Sequence, residues 1–214
     1  MRKISLIVYD FDGTLVDTLI DITDSVNLTL TDLNLPKLPR ETIRKYVGKG
    51  VERLMSQSLE GSSFTDIPQA VALFKKHYSE NLVHHTDFYP YGREILEHFK
   101  NKKQAICSNK PEDFVRRILN SLNRLHSFDA IIGGDSVNSK KPDPEGLISI
   151  LEKLNISADE AVLIGDSPVD VETGKRAGVY TCIANFGLGF PEEIAIANPD
   201  CSIDCLSKLK EMFC

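Results

Sequence analysis

The sequence lacks an excess of positive charge. Its 214 residues include 25 lysines and arginines against 31 aspartates and glutamates, which gives a formal net charge of -6. A protein with this balance presents no overall basic field that could hold nucleic acid or an anionic membrane surface. We therefore expect no nucleic-acid partner, and we expect any anionic ligand to be bound by a local group of cations.

Long apolar runs and cysteines paired as CxxC are also missing. The apolar stretch near the start extends only from Ile4 to Tyr9, which is too short for a membrane span or for the apolar segment of a signal peptide. No CxxC pair occurs among the five cysteines, which are Cys107, Cys182, Cys201, Cys205 and Cys214. This usage is typical of reduced thiols, so we expect a cytoplasmic protein with no membrane segment and no zinc site.

The remaining composition is that of a globular protein, with 42% apolar, 26% charged and 7% aromatic residues. A chain of this length suits one core with a modest insertion. Short apolar runs bounded by turn residues predict strands that are buried on both faces. These runs are Ile4 to Tyr9, Gln104 to Ser108, Asp129 to Ile132, Ala161 to Gly165, Tyr180 to Ala184 and, more weakly, Cys201 to Ile203.

Between these runs, apolar residues recur at spacings of three and four, as in the series Leu147, Ile148, Leu151 and Leu154. Helices that alternate with buried strands predict an α/β fold with a doubly wound, Rossmann-like parallel sheet. The segment after the first strand differs, because it contains only helical patterns. These predict helices over 18–33, 40–47, 51–59 and 68–84, separated by prolines and glycines.

The helical segment predicts a second, smaller unit. We expect an α/β core formed by residues 1–17 and 87–214, with residues 18–86 inserted as an α-helical cap. Two linkers, near Asp17 and Asp87, would join the two units. An insertion held by two linkers can close over whatever lies at the top of the sheet.

In an open parallel sheet, ligands bind beyond the carboxyl ends of the strands. The residues at those ends in this chain are rich in polar groups. The first strand runs into Asp10-Phe11-Asp12-Gly13-Thr14, the second into Ser108-Asn109-Lys110, and the fourth into Gly165-Asp166-Ser167 with Asp170 beyond, while Lys140-Lys141-Pro142 follows the third. Each piece alone could be an ordinary turn or helix cap.

Taken together, these residues indicate chemistry. Four carboxylates at one edge would repel one another unless a cation neutralises them, and an all-oxygen ligand set favours Mg²⁺. The set also suits phosphoryl transfer, which needs an oxygen nucleophile, a metal, a fixed cation and a proton donor. Asp10 is placed to attack phosphorus and Asp12 to act as acid and then base, while Gly13 lets the backbone approach the ligand closely.

The four motifs, in this order, resemble those of the haloacid dehalogenase superfamily, and the helical insertion resembles that of its members with a cap after the first strand. Further motifs are similar to those of the phosphoglycolate phosphatase-like subgroup. They are Gly133-Gly134-Asp135, Lys141-Pro142-Asp143-Pro144, Gly178 and Ala197-Asn198-Pro199-Asp200. The resemblance covers nearly the whole core and extends less specifically to Tyr46-Val47-Gly48-Lys49-Gly50 in the cap.

The resemblance implies a role for each matching residue. Asp10 would form an aspartyl-phosphate, and Asp12 would protonate the leaving group and later activate water. Mg²⁺ would be held by the carboxylate of Asp10, the backbone carbonyl of Asp12, and Asp166, with Asp170 orienting these ligands. Ser108, Asn109 and Lys141 would bind the phosphoryl oxygens, and Lys141, which directly precedes the proline, is favoured over Lys140.

The resulting hypothesis is a Mg²⁺-dependent phosphatase that acts on a small phosphomonoester, with 2-phosphoglycolate as the favoured substrate. The motifs leave open a sugar-phosphate mutase or a pyrophosphatase of the same superfamily, and a receiver-like signalling module is a candidate of a different class. Lys49, with Arg53 one helical turn further on, offers a cation for a substrate carboxylate. The sequence does not distinguish a monomer from a homodimer.

Overall fold

The computed structural model describes all residues, 1–214, and contains a six-stranded sheet flanked by helices. The strands of this sheet are β1 (Leu6–Tyr9), β4 (Lys103–Cys107), β5 (Ala130–Ile132), β6 (Ala161–Gly165), β7 (Tyr180–Ala184) and β8 (Cys201–Ile203). All neighbouring pairs are parallel, in the order β5-β4-β1-β6-β7-β8. The expected doubly wound α/β class is confirmed.

The chain reverses direction across the sheet at β1. It adds β4 and β5 on one side of this strand and then β6, β7 and β8 on the other. The loops that follow β4 and β6 therefore diverge on either side of β1 and leave a crevice at its carboxyl end. This crevice is where the polar residues of the sequence motifs meet.

Ten α-helices accompany the strands. Those of the segment after β1 are α1 (Leu19–Asp32), α2 (Arg40–Arg44), α3 (Val51–Ser58) and α4 (Ile67–Glu80). The others are α5 (Gly92–His98), α6 (Glu112–Ser121), α7 (Glu145–Leu154), α8 (Pro168–Ala177), α9 (Pro191–Ala197) and α10 (Leu209–Met212). No helix is both long and apolar enough to cross a membrane.

Strand β1 shows why the sheet is buried on both faces. Its four residues are buried, and alternate side chains point to opposite faces, as pleated geometry requires. Ile7 and Tyr9 belong to the larger apolar cluster of the molecule, whereas Leu6 and Val8 belong to a smaller cluster on the other face. Polar alternation is therefore absent from this strand, which matches the apolar run seen in the sequence.

The helices α1 to α4 pack mainly on one another, with α4 against both α1 and α3, and α2 against α1. Two short strands that the sequence did not predict, β2 (Val16–Asp17) and β3 (Asp87–Phe88), pair antiparallel where the chain leaves for these helices and returns from them. The carboxylate of Asp21 in α1 accepts hydrogen bonds from the backbone N–H groups of His85 and Thr86 at 2.9 to 3.0 Å. These contacts fix the returning segment to the start of α1.

Two predicted helices are shorter than the sequence indicated. The helix expected over 40–47 ends at Arg44 and continues as turns, and the helix expected over 68–84 ends at Glu80. The N–H groups of residues 85 and 86 instead bond to Asp21, which a helical period alone does not reveal.

Candidate active site

Asp10 lies directly beyond β1 and is 7% exposed. Its Oδ1 accepts a hydrogen bond from the backbone N–H of Phe11 at 2.7 Å and is 3.0 Å from the Nζ of Lys141. Lys141 reaches it from the loop after β5, and the same Nζ is 2.6 Å from Oδ1 of Asp170. A buried lysine thus neutralises part of the charge of two buried carboxylates.

Asp166 directly follows β6, and its carboxylate lies within 4.8 Å of that of Asp10. Its Oδ2 accepts hydrogen bonds from the backbone N–H groups of Leu188 at 2.6 Å and Gly189 at 3.3 Å, and its Oδ1 accepts one from the hydroxyl of Thr14 at 3.3 Å. Gly13 has a φ of +83°, and a Cβ at this position would collide with the Asp166 carboxylate. Glycine is therefore required for close packing of the two strand ends.

Asp170 supports the site from the start of α8. Its Oδ2 accepts hydrogen bonds from the backbone N–H groups of Asp166 and Ser167 at 3.2 and 3.1 Å and from the Ser167 hydroxyl at 2.7 Å. The arrangement forms a capping box at the N-terminus of α8. Both carboxylate oxygens of Asp170 are thus engaged, since the other contacts Lys141.

Asp12 turns away from this group. Its Oδ1 accepts hydrogen bonds from the hydroxyl of Thr18 at 2.6 Å and from the Nζ of Lys110 at 2.9 Å. The Lys110 side chain is only 4% exposed, and its Nζ also donates to the hydroxyl of Tyr78 in α4 at 2.7 Å. The sequence named Lys110 only as part of a motif and gave Tyr78 no role, because the two residues meet through tertiary packing.

Ser108 and Asn109 follow β4 and are buried. Both side-chain N–H groups of Asn109 are engaged, one with the carbonyl of Gly48 and the other with the carbonyl of Lys141, each at 3.0 Å. Its Oδ1 accepts the backbone N–H of Lys141 at 2.9 Å. We expected Asn109 to bind phosphoryl oxygens, and in this structure its amide holds the loop that carries Lys141.

Asp10, Asp166 and Asp170 each place a carboxylate oxygen within 4.8 Å of the others. Lys141 contacts Asp10 at Oδ1, and no lysine contacts Asp166. These two carboxylates are therefore the pair suited to a cation. We expected Asp12 to be a third ligand through its backbone carbonyl. That role does not involve its carboxylate, which accepts hydrogen bonds from Lys110 and Thr18. Four carboxylates and two lysines leave two negative charges, which a divalent cation would balance.

The electrostatics of the isolated chain agree with this fit. Burial, together with the charge of Asp170, raises the pKa of Asp10 to about 6 even though Lys141 opposes the shift. Burial and the charges of Asp170 and Asp10 also raise the pKa of Asp166 well above its ordinary value. Burial alone would lower the pKa of Lys141, but the two carboxylates that it contacts raise it instead. A cation between the carboxylates would relieve the repulsion.

The raised pKa of Asp10 predicts a pH-dependent cost to stability. A carboxyl with a pKa of 3.8 in the unfolded chain and about 6 in the folded chain keeps its proton to a higher pH when folded. Its contribution to the stability of the folded state is therefore fully present below pH 3.8 and is lost by about pH 6. In chelator, Asp10→Asn should therefore be more stable than the unsubstituted protein at pH 7 to 8, by about 1 to 3 kcal/mol, and this advantage should shrink towards pH 4.

Urea unfolding at a series of pH values measures this difference. A stability difference that is the same at pH 4 and pH 8 would show that Asp10 titrates alike in the folded and unfolded chains.

Two spaces meet at Asp12. A small cavity of about 40 Å³ lies between the strand ends and the inserted helices, lined by the carboxylates of Asp10 and Asp12 and by apolar side chains that include Phe74 and Phe114. A cleft of about 440 Å³ opens on the other side of Asp12. Its lining includes Asp166 and three cations, namely Arg44, Lys45 and Lys49.

Lys49 is an exposed turn residue that lines the cleft, whereas Arg53 is exposed on α3 and does not line it. The guanidinium of Arg44 donates to the backbone carbonyls of Leu188 and Gly187, each at 3.2 Å. No local sequence pattern predicts this contact, because its partners come from distant segments.

Residues 7–184 match the sequence model of the haloacid dehalogenase-like hydrolases, which covers most of the chain and all the strand ends described above. The chain belongs to the haloacid dehalogenase-like hydrolase family. It is a phosphoric monoester hydrolase of this family.

Two curated relatives of this hydrolase are phosphoglycolate phosphatases. The protein of Aquifex aeolicus is 39% identical over 184 residues, covering 85% of each chain. That of Psychrobacter arcticus is 36% identical over 214 residues, covering 95% of this chain and 93% of the relative. A crystal structure from Haemophilus somnus, described as a predicted phosphoglycolate phosphatase, matches with a TM-score of 0.93 at 27% identity and covers 98% of this chain and 97% of its own.

Proposed function

We propose that this hydrolase is a Mg²⁺-dependent phosphatase that hydrolyses 2-phosphoglycolate through an aspartyl-phosphate on Asp10. The observation that carries the proposal is the buried carboxylate of Asp10, 3.0 Å from the Nζ of Lys141 and grouped with Asp166. A carboxylate at a strand end, beside a fixed cation and a candidate metal pair, has the parts that phosphoryl transfer needs. The names of the curated relatives support the substrate.

We also propose that residues 18–86 act as a cap over residues 1–17 and 87–214. Contacts between the two units support this division. The Nζ of Lys110 meets the hydroxyl of Tyr78, the amide of Asn109 meets the carbonyl of Gly48, and Lys140 forms an ion pair with Glu52 at 2.7 Å. The first two contacts line the small cavity, which Asp10 also lines, so a cap in this position excludes bulk water from Asp10.

In the first half of the reaction, the carboxylate of Asp10 attacks phosphorus and the bond to the leaving oxygen breaks. Asp12, in protonated form, gives its proton to that oxygen. Lys141 and the hydroxyl of Ser108 bind phosphoryl oxygens, and Asn109 holds the backbone of Lys141 in place. In the second half, Asp12 takes a proton from water, which attacks the phosphoryl group and releases phosphate and Asp10.

Asp10 and Asp166 would hold Mg²⁺ with the backbone carbonyl of Asp12, and Asp170 would fix Lys141 and the start of α8. The bound ion would withdraw charge from the phosphoryl oxygens and offset repulsion between them and Asp10.

A panel of phosphorylated metabolites tests this function. Phosphate release should be fastest with 2-phosphoglycolate and should fall to background after chelation, returning when Mg²⁺ is added. Ca²⁺ should bind but support turnover poorly, because its larger and looser coordination spoils in-line geometry. Full activity after exhaustive chelation would contradict the metal requirement, and a phosphorylated product in place of free phosphate would indicate a mutase.

We propose that the cations of the cleft bind the substrate carboxylate and that Lys49 makes the main contact. Lys49→Ala should raise KM for 2-phosphoglycolate about fivefold to tenfold, because a charge-assisted contact at an exposed site is partly screened. Hydrolysis of an aryl phosphate that carries no carboxylate should barely change. Steady-state kinetics of both substrates measure the difference.

Arg53→Ala is the matched control, because Arg53 is an exposed cation nearby that does not line the cleft. We expect it to leave both substrates unaffected. Equal effects of Lys49→Ala on the two substrates, or no effect on either, would show that Lys49 does not read the carboxylate.

A further inference from the structure

Two cysteines lie side by side at the edge of the sheet, away from the proposed active site. Cys182 of β7 and Cys201 of β8 are register partners on neighbouring parallel strands. Both side chains lie on the same face, since Cys182 belongs to the larger apolar cluster and Cys201 packs against it. Both thiols are free.

The spacing of these residues suits a covalent bond. Neighbouring strands lie about 4.8 Å apart, and disulfides join residues whose Cα atoms are roughly 4.4 to 6.8 Å apart. No other cysteine competes for either partner within the sheet. Cys107 is on β4, with β1 and β6 between it and β7, whereas Cys205 and Cys214 lie outside the strands.

The two thiols differ in burial and in pKa, and these differences give them different roles in oxidation. Cys182 is fully buried, and its pKa is raised by the neighbouring Cys201 thiol and by burial. Cys201 is half-buried, and hydrogen bonding to Cys182 lowers the pKa of its thiol despite partial burial. A thiolate that solvent can reach is the group that oxidants attack first, and a buried thiol beside it can resolve the product.

We propose that Cys182 and Cys201 are a redox-active pair that forms a reversible disulfide on reaction with a hydroperoxide. When the oxidant is hydrogen peroxide, the Cys201 thiolate attacks one peroxide oxygen. An S–O bond forms, the O–O bond breaks and hydroxide leaves. The Cys182 thiol then attacks the sulfenic sulfur. The S–S bond forms, the S–O bond breaks and water leaves. In total, two thiols are oxidised and one peroxide is reduced to two waters.

The bond would fasten the edge strand β8 covalently to β7. Strand β7 leads directly into the loop 185–190, whose N–H groups at Leu188 and Gly189 hold Asp166. Cys182 therefore lies on the strand that leads into this loop, and Cys201 lies on the neighbouring strand β8.

The test exposes the reduced full-length protein to hydrogen peroxide and then blocks the remaining thiols with iodoacetamide in denaturant, so that the buried Cys182 can also be labelled. Intact mass should fall by about 2 Da before blocking, and labelling of Cys182 and Cys201 should fall at least about tenfold, with both effects reversed by dithiothreitol. Digestion after acidic residues maps the bond. Glu193 separates Cys182 from Cys201, and Asp204 separates Cys201 from Cys205, whereas no lysine or arginine lies between them.

Cys205→Ser, the matched control, should still form the bond, whereas Cys201→Ser should not. Mapping of the unsubstituted protein keeps the test independent of whether either variant folds. The proposal is overturned if Cys201 is oxidised to sulfinic acid without pairing, if the bond joins Cys205 or Cys214 instead, or if exposed Cys214 reacts while Cys182 and Cys201 stay fully alkylated.

Discussion

Asp10→Asn should reduce kcat by at least about 10⁴-fold while leaving the fold intact, because an amide is a very poor nucleophile of nearly the same shape as a carboxylate. The substitution also removes a buried negative charge from a group of like charges, so the loss cannot be ascribed to unfolding. Acid quenching during turnover should trap phosphate on the unsubstituted protein and none on the variant. Unfolding curves in chelator provide the check on the fold.

Asp24→Asn is the matched control for this experiment, because it makes the same chemical change at an exposed aspartate in α1. It should change kcat by less than about twofold, as surface substitutions away from special features usually do. Near-normal kcat in Asp10→Asn would mean that a metal-activated water, and not this carboxylate, attacks phosphorus.

Asp12→Asn should lower kcat by about 10² to 10⁴, the usual range for loss of a general acid and base. The loss of rate in the first step, formation of the phospho-aspartate, should depend on the leaving group. An alkyl phosphate needs a proton as its bond breaks, whereas 4-nitrophenyl phosphate has a leaving group that departs without one. The variant should therefore form the phospho-aspartate from the aryl ester at a much smaller loss of rate.

Breakdown of that intermediate still requires a base, so phosphorylated Asp12→Asn should accumulate with the aryl substrate. Rapid-quench measurement of the bound phosphate shows both effects. An equal loss of the first-step rate with alkyl and aryl esters would remove Asp12 from the role of proton donor and leave only its ion pair with Lys110 to explain its presence.

The sheet could be predicted from the sequence because its strands are buried on both faces and read as apolar runs. The bounds of β6, β7 and β8 match the prediction, whereas β2 and β3 were missed. A paired strand of two residues has no periodicity, and its position depends on the two linkers meeting in space. The end of α4 was misplaced for a similar reason, since Asp21 captures the following N–H groups.

The candidate site was predictable to the extent that strand ends must meet. The structure brings Asp10, Asp166, Asp170 and Lys141 together, and Lys140 points instead to Glu52. The hydrogen-bond partners of the individual side chains were not predictable. Nothing in Ser108-Asn109-Lys110 shows that the asparagine amide is occupied or that the lysine lies against Tyr78, because both partners come from distant segments.

If residues 18–86 act as the proposed cap, the contact between Lys110 and Tyr78 would couple the position of that cap to the surroundings of the proposed acid and base, Asp12. Tyr78 travels with α4, so a cap that swings away takes with it the hydroxyl that the Lys110 ammonium contacts. That ammonium would then be free to leave Asp12 for water. A ligand too large for the cap to settle over it would meet an Asp12 with altered surroundings, and selection by size would act on the rate of reaction as well as on binding.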